Sequence, residues 1–304
     1  MTDFFAPNGQ IAIQGLAGSF SDTAVRVLFP QAIPQFHLSF EDVLQSVRSN
    51  RADMAIIPVE NTLAGRLGEL YKMLAESGLY IVGEYFQPIR LCLLGLQGST
   101  ISSLSHVHSH KQALSICRTF LAEHGIIGIE AIDTSQAAQK LGQFINNQSQ
   151  NPIDMEANHG VIASFLAGRL YGLELLKENI AEQQKNFTRF LILSTSPGDT
   201  ESVHLPYITT LAFRLRHEPA SLYRAITGFA TRGVNLLRLE SHMFGGRSAA
   251  CQFSCDLEGH GGHAPLSIGL EELSHIALDV KILGIYPAAP YRKIHIMNHN
   301  RAFG

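Results

Sequence analysis

The sequence contains no tryptophan, few cysteines and few charged residues. Four cysteines in 304 residues are too few for a scaffold stabilised by disulfides. Charged residues make up 16% of the chain and hydrophobic residues 45%, a balance that excludes an intrinsically disordered protein. A formal net charge of −3 provides no basic surface for nucleic acid or for an anionic membrane.

Targeting, membrane-spanning and metal-binding patterns are also lacking. The N-terminal segment MTDFFAPNGQ has neither the basic nor the apolar part of a signal peptide. The stretch free of Lys, Arg, Asp and Glu from Leu91 to His110 is too polar to span a bilayer. His106, His108 and His110 alternate without acidic support, and no HExxH, GxSxG or CxxC pattern occurs. We expect a cytoplasmic protein that binds no metal, membrane or nucleic acid.

The order of apolar patterns predicts two parts. Short apolar runs alternate with amphipathic helices over residues 10–195, as in α/β folds. Residues 196–206 form a polar linker rich in turn-forming residues. Residues 207–286 read as β-α-β-β-α-β, the ferredoxin-like α+β order, with a hairpin through Gly245-Gly246. We expect the His- and Asn-rich tail after Pro290 to be frayed.

Two Gly- or Pro-containing loops follow predicted strands, where open α/β sheets bind ligands. The first contains Gly18, Ser19 and Ser21 before a helix; it suits an anion, and a plain capped turn explains it equally well. The second, Pro58-Val-Glu-Asn-Thr62, delivers an acid, an amide and a hydroxyl into one turn. Taken alone, that second loop is better explained as a capped turn.

A third candidate is the start of the strand in Asn186-Phe-Thr-Arg-Phe190. Strand alternation projects Thr188 to one side and Arg189 to the other. Arg189 could equally be a surface charge on a β-edge, and no local feature decides between the two.

Five segments occur in the order found in prephenate dehydratases: GLAGSFSDTAV, IIPVENTLAGRLGELYKML, SHKQALSIC, DTSQAAQKL and NFTRFLIL. The chain resembles this family over residues 10–195, and residues 207–286 resemble its ACT regulatory domain. The resemblance implies a catalytic region with two lobes like a periplasmic binding protein and a cleft between them. It also implies conversion of prephenate to phenylpyruvate in phenylalanine biosynthesis, without a cofactor.

The same resemblance implies roles for individual residues. Thr188 matches the essential threonine, which we expect to donate a hydrogen bond to the departing hydroxyl. Glu60 is either a proton donor or, as we favour, a residue that fixes its loop. The implied substrate-binding residues are Gly18, Ser19, Ser21, Asn61, Thr62, His110, Arg189 and Phe190.

In the ACT-like part the resemblance implies L-phenylalanine as effector and a homodimer or homotetramer formed through ACT domains. The implied effector-binding residues are Ala220, Ser221, Leu222, Asn235, Glu240 and Ser241. The usual Gly at the start of the first motif is Ala220 here, which strains the turn if φ must be positive. The Arg-Pro of the second motif is replaced by His242-Met243, so we expect weak binding of phenylalanine.

Two alternatives remain open. An arogenate dehydratase would perform the same chemistry on a substrate with an amine in place of the ketone. A non-catalytic small-molecule receptor would keep the cleft and would not need Thr188.

Overall fold

The first lobe is an α/β sandwich formed by the N-terminal part of the chain. The computed structural model describes residues 9–66, 68–146, 158–183, 185–198, 200, 206–243 and 251–292. The first lobe contains, in chain order, β1 (Gln10–Gln14), α1 (Phe20–Leu28), β2 (Ile33–His37), α2 (Phe40–Arg48), β3 (Met54–Asn61), β4 (Gly65–Arg66), α3 (Gly68–Ser77) and β5 (Tyr80–Pro88). Residues Ala55 to Ile57 on β3 are at most 1% exposed, because helices cover both faces of the sheet.

The second lobe is inserted after β5. Its elements are β6 (Cys92–Gly95), β7 (His106–His110), α4 (Lys111–Ile116), α5 (Arg118–Glu123), β8 (Ile127–Ala131), α6 (Thr134–Asn146), β9 (His159–Ala163), α7 (Phe165–Leu170) and β10 (Glu174–Lys177). The strands form a sheet in the order β10-β6-β9-β7-β8. The periodicity of residues 111–124 indicates one helix; the structure divides it at Cys117, whose φ of −103° and ψ of 10° depart from helical values.

Strand β11 (Phe187–Ser194) returns the chain to the first lobe. It inserts between β3 and β5, antiparallel to both, and completes the order β2-β1-β3-β11-β5, with β4 paired to β3. The segments that cross between the lobes are joined by a hydrogen bond from Ile89 N to Asn186 O of 2.8 Å. The two segments that connect the lobes, although far apart in the sequence, therefore lie side by side next to β11.

The C-terminal module is an antiparallel sheet with helices on one face. It comprises β12 (Tyr207–Leu215), α8 (Ser221–Ala230), β13 (Leu236–Met243), β14 (Cys251–Glu258), α9 (Leu266–Ile276) and β15 (Asp279–Pro287). The strand order is β13-β14-β12-β15, the ferredoxin-like arrangement that the sequence predicts. The expected hairpin at Gly245-Gly246 lies outside the described residues.

The other face of the module packs on the first lobe. Ile208, Leu283 and Tyr286 share one buried core with Ile81 and Leu191. Gly284 allows a close approach here, because a Cβ at this position would lie 2.1 Å from the Ile81 carbonyl oxygen. The module and the first lobe therefore share apolar packing in addition to their covalent connection.

The chain continues to contact the first lobe after the module. Tyr291 stacks on Phe86, with ring centroids 4.4 Å apart, and Arg292 Nη2 lies 2.8 Å from Glu84 Oε2. The expectation that the tail is frayed immediately after Pro290 is therefore wrong for these residues. Among the residues described here, no helix is long and apolar enough to cross a membrane.

Candidate active site

A cleft of about 450 Å³ lies between the two lobes, beside the crossing segments. The cleft brings together residues that are far apart in the sequence. Seven of the predicted site residues line the cleft: Ser19, Ser21, Glu60, Asn61, His110, Thr188 and Phe190. The loops after β1, β3, β7 and β8 and the first half of β11 thus contribute to the cleft.

A hydrogen bond between Asn61 and Thr188 orients the threonine hydroxyl. Strands β3 and β11 pair Asn61 with Thr188, and Asn61 Nδ2 donates to Thr188 Oγ1 over 3.0 Å. The Asn61 side-chain amide cannot be flipped by 180° without losing two hydrogen bonds, because Oδ1 accepts from the backbone N–H groups of Leu63 and Ala64 at 2.9 and 2.8 Å. Since Thr188 Oγ1 accepts from Asn61, its own proton remains available to a ligand in the cleft.

Glu60 lines the cleft, but it is not the residue of β3 that pairs with Thr188. The register pairs Glu60 with Arg189, so Asn61, and not Glu60, shares the face of Thr188. Glu60 also lines a second cavity of about 210 Å³ together with Arg189 and Asp256. Both roles considered for Glu60, a proton donor and a residue that fixes its loop, therefore stay predictions.

The residues of the loop after β1 have three different roles: one caps a helix, some line the cleft, and one forms a contact between the lobes. Ser19 is the N-cap of α1, and its Oγ accepts from Asp22 N over 3.2 Å. Gly18 does not line the cleft: it has a φ of +82°, and a Cβ there would lie 2.7 Å from Ala167 Cα in α7. Ser164 Oγ donates to Gly18 O over 2.5 Å. The predicted contact of Gly18 with substrate is therefore replaced by a packing contact between the lobes.

Arg189 and Thr62 also lie outside the cleft. Arg189 is 2% exposed and points to the opposite face of β11, where Nε donates to Glu84 Oε2 over 2.8 Å. Its Nη1 donates to Asp256 Oδ2 over 2.6 Å. Thr62 Oγ1 accepts from Phe187 N over 3.0 Å and so joins the loop to β11. The buried position of Arg189 corrects the expectation that it contacts substrate, whereas the expected contact of Thr62 stays a prediction.

Several cleft residues were not predicted from the sequence. Those with polar side chains are Gln14, Gln112, Asp133, Thr134 and Asn186. Asp133 Oδ1 accepts from Ser135 N over 2.8 Å and from Gln136 N over 3.0 Å at the start of α6. The position of Asp133 before a helix could have indicated this cap, because aspartate is a preferred N-cap residue.

His110 has the local role expected from its position before a helix. Its Nδ1 accepts from Gln112 N over 3.3 Å, which makes it the N-cap of α4. The neutral ring then carries its proton on Nε2. No lysine or arginine occurs among the described residues that line the cleft, so its hydrogen-bond donors are hydroxyl, amide, imidazole and backbone groups.

The family profile described as prephenate dehydratase matches residues 11–198. This chain belongs to the prephenate dehydratase family. The match covers both lobes and β11, and therefore every residue of the cleft described above.

Known relatives of this prephenate dehydratase family member match across most of their length. A protein of Komagataeibacter europaeus named bifunctional N-acyl-homoserine lactone acylase/prephenate dehydratase is 38% identical over 94% of this chain and 99% of its own length. Arogenate dehydratase/prephenate dehydratase 1 of Arabidopsis thaliana is 34% identical over 91% of this chain and 72% of its own. The structure of prephenate dehydratase from Arthrobacter aurescens in complex with L-Phe superposes with a TM-score of 0.81 at 25% identity, covering 97% of this chain and all of the other.

The residues predicted to bind an effector lie in different parts of the ferredoxin-like module. Ala220 is the N-cap that precedes α8 and has a φ of 61°, the left-handed conformation in which its Cβ is strained. Asn235 lies beyond the other end of that helix, and its Nδ2 donates to Glu258 Oε2 over 3.0 Å. Glu240 accepts from Arg238 Nη1 over 3.2 Å, towards the first lobe. Within the described part of one chain, Ala220 and Asn235 therefore flank opposite ends of α8.

Proposed function

We propose that this protein is a lyase that converts prephenate to phenylpyruvate in the cleft between the lobes. The observation that carries the proposal is the hydrogen bond from Asn61 to Thr188, which leaves a hydroxyl donor directed at the cleft of a prephenate dehydratase family member. A receptor for a small molecule would have no need for a hydroxyl held in this way.

The reaction removes a hydroxyl and a carboxylate from opposite ends of a cyclohexadiene ring. The bond from the ring to the carboxylate carbon breaks, its electron pair enters the ring, and carbon dioxide leaves. The bond from the ring to the hydroxyl oxygen breaks, and that oxygen takes up one proton and leaves as water. The ring becomes aromatic, which provides the driving force, so the protein chiefly has to orient the substrate and stabilise the developing charge.

Thr188 donates a hydrogen bond to the departing hydroxyl oxygen as charge develops on it. A threonine hydroxyl is too weak an acid to supply the proton outright, so the proton that completes the water molecule comes from solvent or through a neighbouring group. The interaction strengthens in the transition state because the acceptor becomes more negative.

The two substrate carboxylates are bound without a cationic side chain in the described lining. Ser21, Thr134 and His110 line the cleft and offer hydroxyl and imidazole donors. The start of α6 at Thr134 adds the favourable end of a helix dipole. Local donors of this kind are consistent with a protein that has a net charge of −3.

The module of residues 207–286 is, in this proposal, an ACT domain that binds L-phenylalanine between two chains, with residues 10–195 as the catalytic region and 196–206 as the linker. Support comes from its ferredoxin-like strand order and from the relative of Arthrobacter aurescens, which was solved with L-Phe. The separation of Ala220 from Asn235 along the module is consistent with a site completed by a second chain. We expect at least a dimer.

Two relatives suggest competing substrates. Arogenate differs from prephenate only by an amine in place of the side-chain ketone, and the Arabidopsis relative carries both names. The experiment is to incubate the full chain with prephenate and with arogenate separately, and to quantify phenylpyruvate, phenylalanine and carbon dioxide. Equal amounts of phenylpyruvate and carbon dioxide from prephenate support the proposal. Turnover of arogenate alone would replace prephenate by arogenate as the substrate, and turnover of neither compound would refute both dehydratase functions. An N-acyl-homoserine lactone is tested as a third substrate, because the Komagataeibacter relative is also named an acylase for such lactones.

A further inference from the structure

A buried network of charges joins the catalytic strand β11 to the ferredoxin-like module. Arg189 on β11 contacts Glu84 on β5 at 2.8 Å and Asp256 on β14 at 2.6 Å. Asp256 also contacts Arg238 Nη2 on β13 at 3.0 Å. The side chains of these four residues are at most 2% exposed, so the network is excluded from solvent.

Asp256 is the member that connects the two parts. Its Oδ2 accepts from Arg189, while Oδ1 accepts from Thr210 Oγ1 at 2.8 Å and from Arg238. Burial opposes the charge of Asp256, but Arg189 and Arg238 outweigh it and hold the pKa of the carboxyl below its usual range. The aspartate is therefore a charged acceptor with fixed geometry, because each of its oxygens is engaged.

Arg189 has a direct covalent connection to the cleft. It follows Thr188 on β11, and strand alternation directs the two side chains to opposite faces. The ladder between β11 and β3 is irregular between Arg189 and Phe190. Such an irregularity weakens the control that strand pairing exerts on side-chain direction. The guanidinium contacts behind the strand supply an additional constraint at this point.

We propose that Asp256 is a positioning residue for the dehydration: it holds Arg189, and through one peptide unit it fixes the Thr188 hydroxyl relative to Asn61. The module thereby completes the catalytic geometry of its own chain. This inference rests on the proposed function of the cleft, and the experiment below separates the two.

The network is well suited to hold one geometry. Arg189 presents a planar fork, with Nε directed to Glu84 and Nη1 to Asp256, while Nη2 donates to Tyr286 Oη over 3.1 Å. Rotation or translation of the guanidinium would break contacts in the first lobe and in the module together. A displacement of about 1 Å at a reacting group can cost about 10²-fold in rate, so a small shift of Thr188 has a measurable effect.

The test is a double-mutant cycle on the full chain, with prephenate as substrate. We expect Asp256→Asn to lower kcat by between about 10-fold and 10²-fold, with a smaller change in KM, because the cleft donors that bind the substrate remain. In a Thr188→Val background the same substitution should have little further effect, since the hydroxyl that it misplaces is already absent.

The matched control is Lys281→Met. Lys281 Nζ donates to Ala75 O over 2.5 Å, so this variant also removes a contact between the module and the first lobe, but one without a link to Arg189. It should leave kcat unchanged. Thermal unfolding establishes that each variant is folded; if Asp256→Asn does not fold, Asp256→Glu, which retains the charge and moves it, is measured in its place.

The outcomes separate the two proposals. Independent, multiplicative losses from Asp256 and Thr188 substitutions, or an equal loss from Lys281→Met, would overturn the positioning role and leave the proposed function intact. A wild-type chain without prephenate turnover would refute the proposed function instead. Non-additive losses confined to the Asp256 variants would support both.

Discussion

Replacing Asn61 by Asp exchanges one NH₂ group for an oxygen and tests how the threonine hydroxyl is oriented. The new carboxylate can still accept from Leu63 N and Ala64 N, but it loses the hydrogen bonds that Asn61 Nδ2 donates to Asn186 Oδ1 over 2.8 Å and to Phe187 O over 3.2 Å. It cannot donate to Thr188 Oγ1, which in the wild type accepts from Asn61 over 3.0 Å. The Thr188 proton then turns towards the carboxylate and is lost to the substrate.

The expected effect on kcat follows from the hydrogen bond that Thr188 no longer donates to the substrate. A hydrogen bond to a charged group contributes about 1.5–3 kcal/mol, and about 1.4 kcal/mol corresponds to a tenfold change in rate. We therefore expect Asn61→Asp to lower kcat by about 10-fold to 10²-fold. KM should rise as well, because a negative charge is added to a cleft that binds a dianion.

Thr188→Val and Thr188→Ser are the comparison variants. Valine matches threonine in shape without the hydroxyl and should lower kcat by about 10²-fold; serine keeps the hydroxyl and should retain more activity. Initial rates of phenylpyruvate formation across a range of prephenate concentrations give kcat and KM for each variant. Equal, mild effects of valine and serine, or an unchanged kcat in Asn61→Asp, would refute the reasoning.

Three further predictions concern stability, measured by urea unfolding of the full chain. Gly18→Ala should lower the free energy of unfolding by about 1–3 kcal/mol, because it combines a φ of +82° with a clash against Ala167, whereas the control Gly78→Ala has a φ of +73° in open space and should cost less. Ala220→Gly should raise it by up to about 1 kcal/mol, because glycine relieves the left-handed strain at φ 61°; no gain would mean that the turn tolerates its Cβ. The free energy of unfolding should fall as the pH drops below about 4, because the pKa of Asp256 is held low in the folded chain and the unfolded chain binds more protons. Asp256→Asn should weaken that dependence, and an unchanged acid transition would contradict the low pKa.

Local chemistry was predictable from the sequence, because the interacting groups are close along the chain. A serine three residues before an aspartate is typical of a helix N-terminus, and at α2 Ser39 Oγ accepts from Asp42 N over 3.1 Å. The ferredoxin-like order was predictable for a related reason: alternating strands and amphipathic helices constrain which elements can pack together.

The partners of Arg189 could not be predicted in this way. Its contacts with Glu84 and Asp256 join residues 105 and 67 positions apart, and no periodicity links such separations. Arg292 illustrates the same point within a tail whose composition suggested fraying: it pairs with Glu84, 208 positions away. Composition describes the average tendency of a segment, whereas one buried carboxylate can hold a particular residue of that segment in place.

The two faces of β11 explain why adjacent residues have such different environments. A strand is only one residue thick, so Thr188 can line a cleft while Arg189 lies 2% exposed against another sheet. Once the strand is covered on its second face, a charged residue there must find opposite charges, and Glu84 and Asp256 supply them. Removing either carboxylate would leave Arg189 undercompensated, one residue along β11 from Thr188. In our proposal, the close spacing that a β-strand imposes is what couples the packing of the module to the geometry of the cleft.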